Sequence, residues 1–294
     1  MKQLFLCLAV VLAAAAALAQ APQPSGDLIL IGGGDKPDEA MRKFVELAGG
    51  PQSPIVLIPT ASRDRKTRAG YAKQFREELG CTALTVLDIK TREDAVRPDF
   101  VEAVAKARGI FFGGGDQVRI TTALLDTPVG KAIADAFARG AVVGGTSAGT
   151  ACQSGPMITG EGDFTVIRAN AVELKPGFGF FRGVIVDQHF IARQRSNRLI
   201  SVILEHPDLL GVGVDEDTAV WVRPDGTFRV IGKGSVMVID PGGASIRRGV
   251  EAGGRDLLGV HDLRVHVLLD GEEYDPAKRA VIVRGGAGGE RSGS

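Results

Sequence analysis

Cysteine, histidine and net charge are all scarce in this chain, and each shortage excludes something. Cysteine occurs three times, at Cys7, Cys81 and Cys152. Cys7 lies inside the N-terminal apolar run, too early for a lipoprotein cleavage site. The other two have no histidine neighbours, so no zinc site is expected. Acids and bases number 35 each, for a formal net charge of 0. That balance gives no electrostatic case for binding nucleic acid or an anionic membrane. A phosphate-binding fingerprint is missing too. The run Gly32-Gly33-Gly34 opens no Gly-x-Gly-x-x-Gly helix, and no Lys-Ser or Lys-Thr pair completes a P-loop. The apolar stretch over residues 4–18 is short for a membrane span, and no stop-transfer pattern follows it.

That stretch reads instead as part of a secretory signal peptide over residues 1–19. Met1-Lys2 is the basic start, and Ala17-Leu18-Ala19 supplies the small residues read by a signal peptidase. An uncleaved anchor is the alternative. The remainder suits one α/β domain over residues 20–284, with a polar Gly/Ser/Arg tail over 285–294 expected to be disordered. Export permits a disulfide between Cys81 and Cys152, although Cys152 also reads as a small core residue.

In the first half, short runs apolar on both faces alternate with helical patterns. The runs are Leu28-Ile29-Leu30-Ile31, Ile55-Val56-Leu57-Ile58, Leu84-Thr85-Val86-Leu87, Gly109-Ile110-Phe111-Phe112 and Ala141-Val142-Val143. Helices are predicted over 37–48, 67–79, 98–107, 118–125 and 129–139. This is the pattern of a parallel sheet covered on both sides. Right-handed crossovers would place the strand C-terminal ends on one edge, where glycine-rich loops at 32–35, 113–117 and 144–149 would meet. The second half is β-rich. It contains a strand Val184-Ile185-Val186, a basic helix over 193–205, further strands from residue 211 and a last β segment over 261–269.

Chemistry concentrates in Gly145-Thr146-Ser147-Ala148-Gly149. A serine flanked by glycines between a strand and a helix has the form of a nucleophile elbow. The Ala148 N–H, with an amide of the Gly113-Gly114-Gly115-Asp116 loop at Gly115 or Asp116, would form the oxyanion hole. Such a serine needs a base. Of the four histidines, His189 ends a predicted strand in a polar cluster, whereas His206, His261 and His266 read as surface or structural residues. Asp215-Glu216-Asp217, between two apolar strands, offers either the orienting acid or a solvated turn. Arg193, Arg195 and Arg198 follow His189. They form either a carboxylate-binding cluster or a solvated basic face.

Together, Phe112-Gly113-Gly114-Gly115-Asp116-Gln117, the Ser147 elbow, Asp187-Gln188-His189-Phe190 and Asp215-Glu216-Asp217-Thr218-Ala219 resemble the cyanophycinases of the peptidase E-like serine peptidase family. The match extends to the three arginines and to a tail segment over residues 259–268. The resemblance implies a three-layer αβα sandwich, flavodoxin-like and related to class I glutamine amidotransferases, with a β-rich C-terminal part. It implies a triad of Ser147, His189 and Glu216. It also implies a substrate pocket formed with Gln117, Asp187, Gln188, Arg193, Arg195 and Arg198. The implied substrate is cyanophycin, a poly-aspartate with arginine on each side-chain carboxyl, released as β-aspartyl-arginine, or, for an exported enzyme, a related β-aspartyl peptide. No metal or organic cofactor and a homodimer are further implications. Two other readings stay open: an α/β-hydrolase esterase with His261 or His266 as base, and a non-catalytic binding protein on the same sandwich.

Overall fold

The structure is a computed structural model that describes residues 26–250 and 256–283. The expected signal peptide and polar tail lie outside the described residues.

A nine-stranded sheet organises the molecule. Strands β1 (Leu28–Ile31), β2 (Ile55–Ile58), β3 (Leu84–Val86), β4 (Gly109–Phe112) and β5 (Val142–Thr146) run parallel in the order β1-β5-β4-β2-β3. Side chains alternate across it. Leu28 and Leu30 enter one core, and Ile29 and Ile31 enter the other. Helix α1 (Asp38–Leu47) covers the second face with Ala40, Met41, Phe44 and Val45. Helix α2 (Arg65–Lys73) leads to Phe75 on the same side. Helices α3 (Pro98–Lys106), α4 (Gln117–Leu124) and α5 (Pro128–Ala138) cover the first face. This is the expected αβα sandwich.

Beyond β1 the sheet turns antiparallel. It continues through β10 (Thr218–Val222) and β11 (Phe228–Gly232) to two short strands, Glu273–Asp275 and Ala280–Val281. A second sheet of four strands packs beside it. It includes β8 (Val184–Gln188), β9 (Leu210–Val214) and β12 (Val236–Asp240), with Arg264–Leu268 at the edge. Val184 and Val186 of β8 face the first core, while Ile185 faces helix α7 (Ser196–Glu205) through Leu199, Val202 and Ile203. The two sheets are joined by the turn between β9 and β10, a connection that matters for the site.

Several expectations need correction. The helix expected over 67–79 starts at Arg65, where the Asp64 carboxylate caps the Lys66 and Thr67 amides. It closes in a π-helical turn over Gln74–Glu78. The basic helix begins at Ser196, so Arg193 and Arg195 stand in the turns before it and share no helix face with Arg198. The β segment expected over 261–269 is split between a strand ending at His261 and another beginning at Arg264. The hairpin of β6 (Pro156–Gly162) and β7 (Val172–Pro176) had no counterpart in the sequence reading. Cys81 and Cys152 are free thiols in cores on opposite faces of the main sheet, which excludes their pairing.

Candidate active site

Ser147 sits at the C-terminal end of β5, just before the short helix α6 (Ala148–Ala151), with φ 53° and ψ −112°. A residue with a side chain costs about 1–3 kcal/mol to hold in such a conformation. Its surroundings over-determine it. The Ser147 N–H donates to the Ile31 carbonyl at 3.0 Å. The Thr150 hydroxyl reaches the Ile31 and Gly145 carbonyls at 2.7 and 2.9 Å. The flanking glycines are sterically required. A Cβ on Gly145 would lie 2.2 Å from the Gly149 carbonyl oxygen, and one on Gly149 would lie 2.3 Å from that of Phe112.

His189 follows β8 of the second sheet, also at positive φ (50°), and its N–H donates to the Gly32 carbonyl at 2.8 Å. The ring spans the gap between the sheets. Nε2 lies 2.8 Å from Ser147 Oγ, and Nδ1 lies 2.5 Å from Glu216 Oε1. A carboxylate only accepts, so Nδ1 carries the proton and donates to Glu216. That leaves Nε2 to accept from the serine hydroxyl. Burial holds the His189 pKa below its ordinary 6.5. The Glu216 hydrogen bond opposes this, and nearby Arg193 and Arg195 push the same way as burial. The ring is thus neutral at pH 7, as a general base must be.

Each acid of Asp215-Glu216-Asp217 has a separate task. Asp215 accepts the Ile191 and Ala192 amides at 3.1 and 3.0 Å and so closes the turn after His189. Asp217, at φ 54°, accepts the Asp35 amide at 2.7 Å, and its own N–H donates to the Gly33 carbonyl at 3.0 Å. Only Glu216 turns to the imidazole. The acidic cluster is thus more than a solvated turn.

The glycine loop after β1, which the sequence placed at the same edge as the elbow, has a role there that the sequence did not show. Gly33 has φ +124°, and a Cβ there would fall 2.1 Å from His189 Cε1. The His189 ring therefore lies on the bare face of this glycine. Gly33→Ala is expected to displace the ring and lower kcat on the order of 10²-fold, the usual effect of a misplacement near 1 Å. Turnover measured beside a thermal melt tests this, and wild-type kcat in the folded variant would refute it.

The oxyanion side can be followed amide by amide. The Gly113 N–H donates to Ile58 O at 3.1 Å, the Gly114 N–H to the Tyr71 hydroxyl at 2.8 Å and the Asp116 N–H to Ala61 O at 3.1 Å. Asp116 is therefore no oxyanion donor. Its amide is committed, and its carboxylate caps α4 by accepting the Val118 amide at 2.9 Å. Among the described residues, the Gly115 and Ala148 amides have no acceptor. These two remain available to a developing oxyanion.

A cavity of about 410 Å³ opens beside Ser147. Of the residues expected to bind substrate, Gln117, Gln188, Arg193, Arg195 and Arg198 all line it, and Asp187 does not. Gln188 Oε1 accepts from Arg195 at 2.6 Å. Desolvation lowers the Arg195 pKa to about 10. Asp187 and Arg198 are each 1% exposed, and they form a two-pronged ion pair that orients the site from beneath. Gln117 is buried, and its side-chain amide donates to the Ile158 and Thr159 carbonyls, which ties α4 to the β6–β7 hairpin. Among the described residues, the histidine ring hydrogen-bonded to Ser147 Oγ is that of His189, and no such bond joins Oγ to His261 or His266. His266 packs on Tyr274, with ring centroids 5.4 Å apart, so the alternative assignment of the base fails on placement.

A serine at a strained strand-to-helix turn, bonded to a histidine that a carboxylate holds, defines a serine-type hydrolase. Residues 28–231 match peptidase family S51, and the chain belongs to this family of hydrolytic peptidases. It is 37% identical over 266 residues to the cyanophycinase of Nostoc sp. (strain PCC 7120 / SAG 25.82 / UTEX 2576), covering 89% of each chain. It is 35% identical over 254 residues to that of Synechococcus elongatus, covering 85% of this chain and 79% of that protein. The fold is similar to the crystal structure of a peptidase from an acI-B1 Actinobacterium, with TM-score 0.65 and 24% identity over 86% of this chain and 97% of that one.

Proposed function

We propose that the chain is an exported serine peptidase that hydrolyses cyanophycin to β-aspartyl-arginine. The observation that carries this reading is the unbroken hydrogen-bond path from Ser147 Oγ through His189 to Glu216. The names of the curated relatives supply the substrate. Ser147 Oγ attacks the scissile carbonyl as its proton passes to His189 Nε2. Glu216 stabilises the imidazolium and keeps the ring in register. The Gly115 and Ala148 amides receive the oxyanion. Collapse breaks the C–N bond, and His189 returns the proton to the leaving amine. Water, deprotonated by the same nitrogen, then releases the acyl group and regenerates Ser147.

The test is digestion of cyanophycin by the purified chain, with products identified by mass. β-Aspartyl-arginine is the expected product, and intact polymer would refute the substrate. The pH profile adds a check on the base. Attack needs neutral His189, so kcat/KM should be flat near pH 7 and fall about tenfold per unit below a pKa under the ordinary histidine value. Export rests on the sequence of residues 1–19. It predicts a mature chain starting at Gln20 outside the cytoplasm, and cell fractionation with N-terminal sequencing would expose a retained leader.

A further inference from the structure

The cavity beside Ser147 has one wall to which the mechanism assigns no task, the β6–β7 hairpin. Pairing of these strands is regular from Pro156 to Ile158 and resumes only at Gly162. The residues between form a bulge with Gly160 at φ +127° and Gly162 at φ +136°. Bulges of this kind re-aim side chains beside active sites. This one carries Thr159, Gly160 and Glu161 onto the cavity lining, with Glu173 opposite on β7. The bulge is anchored. Gln117 holds its Ile158 and Thr159 carbonyls, the Thr159 hydroxyl donates to Glu173 Oε2 at 2.8 Å, and the Glu161 N–H donates to Thr159 Oγ1 at 3.2 Å.

The charges on this lining are matched unevenly. Glu173 has a partner in Lys175 at 3.2 Å. Arg195 is bonded to Gln188, and Arg198 to Asp187. Among the described residues, Glu161 and Arg193 form no ion pair, with each other or with anything else, though both line the cavity that holds Ser147. Asp116, the other unpaired acid on the lining, is spent on the Val118 amide at the start of α4, so the cavity offers Glu161 as its uncommitted anion and Arg193 as its uncommitted cation, on separate elements. A ligand suited to it carries a carboxylate and a cation on the same unit.

We propose that Glu161 is the specificity residue that receives the guanidinium of the substrate's arginine, while Arg193 receives the carboxylate of that same arginine. This rests on the reading of the substrate as a β-aspartyl-arginine polymer. Asp187, the acid that sequence reasoning assigned to the pocket, is closed to this role because Arg198 occupies both of its oxygens. Glu161 carries a free carboxylate, and a carboxylate binds guanidinium more strongly than a neutral acceptor does.

The test compares short β-aspartyl-arginine oligomers with citrulline counterparts, which keep the shape and lose the charge. The wild-type chain is expected to favour arginine by about tenfold or more in kcat/KM, the usual weight of a hydrogen bond to a charged group. Glu161→Gln should bring that ratio toward one, chiefly by raising KM for the arginine oligomer, and Glu161→Asp should restore part of it. A ratio held at its wild-type value in folded Glu161→Gln overturns the assignment. Hydrolysis and recognition are separated by calorimetry on Ser147→Ala. If the wild-type chain cleaves neither oligomer, the peptidase reading of the substrate falls. Tighter binding of the arginine oligomer, lost on adding Glu161→Gln, would still support Glu161. Equal binding of the two oligomers would overturn it.

Discussion

Ser147→Ala is expected to lower kcat on cyanophycin by about 10⁶-fold, the scale on which a serine-type triad fails when its nucleophile is removed. KM and the melting temperature should stay close to wild type. The reason lies in the backbone. Alanine inherits the same φ of 53° and the same Ile31 hydrogen bond, so the elbow keeps its shape and loses only the hydroxyl. Ser147→Gly makes a useful contrast. It removes the nucleophile as well, but it relieves the left-handed strain and should raise stability by about 1 kcal/mol or more. His189→Ala should cost nearly as much activity as Ser147→Ala, and the double variant little more than either, because the pair acts as a unit. Burst-phase and steady-state kinetics on Ser147→Ala, His189→Ala and their double variant decide the matter. Turnover within tenfold of wild type in Ser147→Ala would end the mechanism.

The site depends on a meeting of two sheets. Ser147, the proposed nucleophile, follows a strand of the parallel sheet, and His189, the proposed base, follows a strand of the second sheet. Glu216, the proposed acid, lies in the turn between β9 and β10, where the chain passes from one sheet to the other. Contacts with the Gly32-Gly33-Gly34 loop pin this arrangement. Gly32 accepts from His189, and Gly33 accepts from Asp217. A relative shift of the sheets would stretch the Ser147–His189 and His189–Glu216 bonds together. The close approach of Gly33 to the His189 ring resists such a shift.

Much of this could be read from residues in order. Four of the five parallel strands were legible because each is short, apolar on both faces and ended or interrupted by glycine or proline, while β3 was legible as an apolar run between helical patterns. Ser147 was legible because its glycines mark a turn that few other residues permit. Contacts made across the fold were not. The role of Gly33 depends on a ring that arrives from residue 189. Asp187 looked like a substrate contact because it is polar and near the motifs, yet it lies off the cavity and pairs with Arg198, while Gln117 and Arg198 line the cavity with side chains already bonded within the fold. The β6–β7 hairpin escaped because Gly160 and Gly162 interrupt its alternation, and with it went Glu161. The helix after His189 was placed too early because three arginines resemble a helical face. In fact Arg195 stands at the cap, with its guanidinium drawn back to Gln188.

Asp187→Ala tests this reassignment, and a large loss of stability is expected. Arg198 and Asp187 are each 1% exposed, so removing the carboxylate strands a guanidinium in the interior. Breaking such a pair costs about 3–5 kcal/mol, which in a domain of this size lowers the melting temperature by roughly 10 °C. Asp187 also accepts the Gln188 amide at 2.7 Å, one residue before His189, so activity should fall with stability. The substrate-contact reading predicts a different outcome, a raised KM with the melt unchanged. The double variant Asp187→Leu with Arg198→Met separates the two effects. An apolar pair of similar volume is often as stable as the ion pair it replaces. Its melt should return toward wild type while kcat stays depressed, because the amide that Asp187 held is released. A Asp187→Ala variant that melts like wild type would show that this buried pair does not hold the floor of the site.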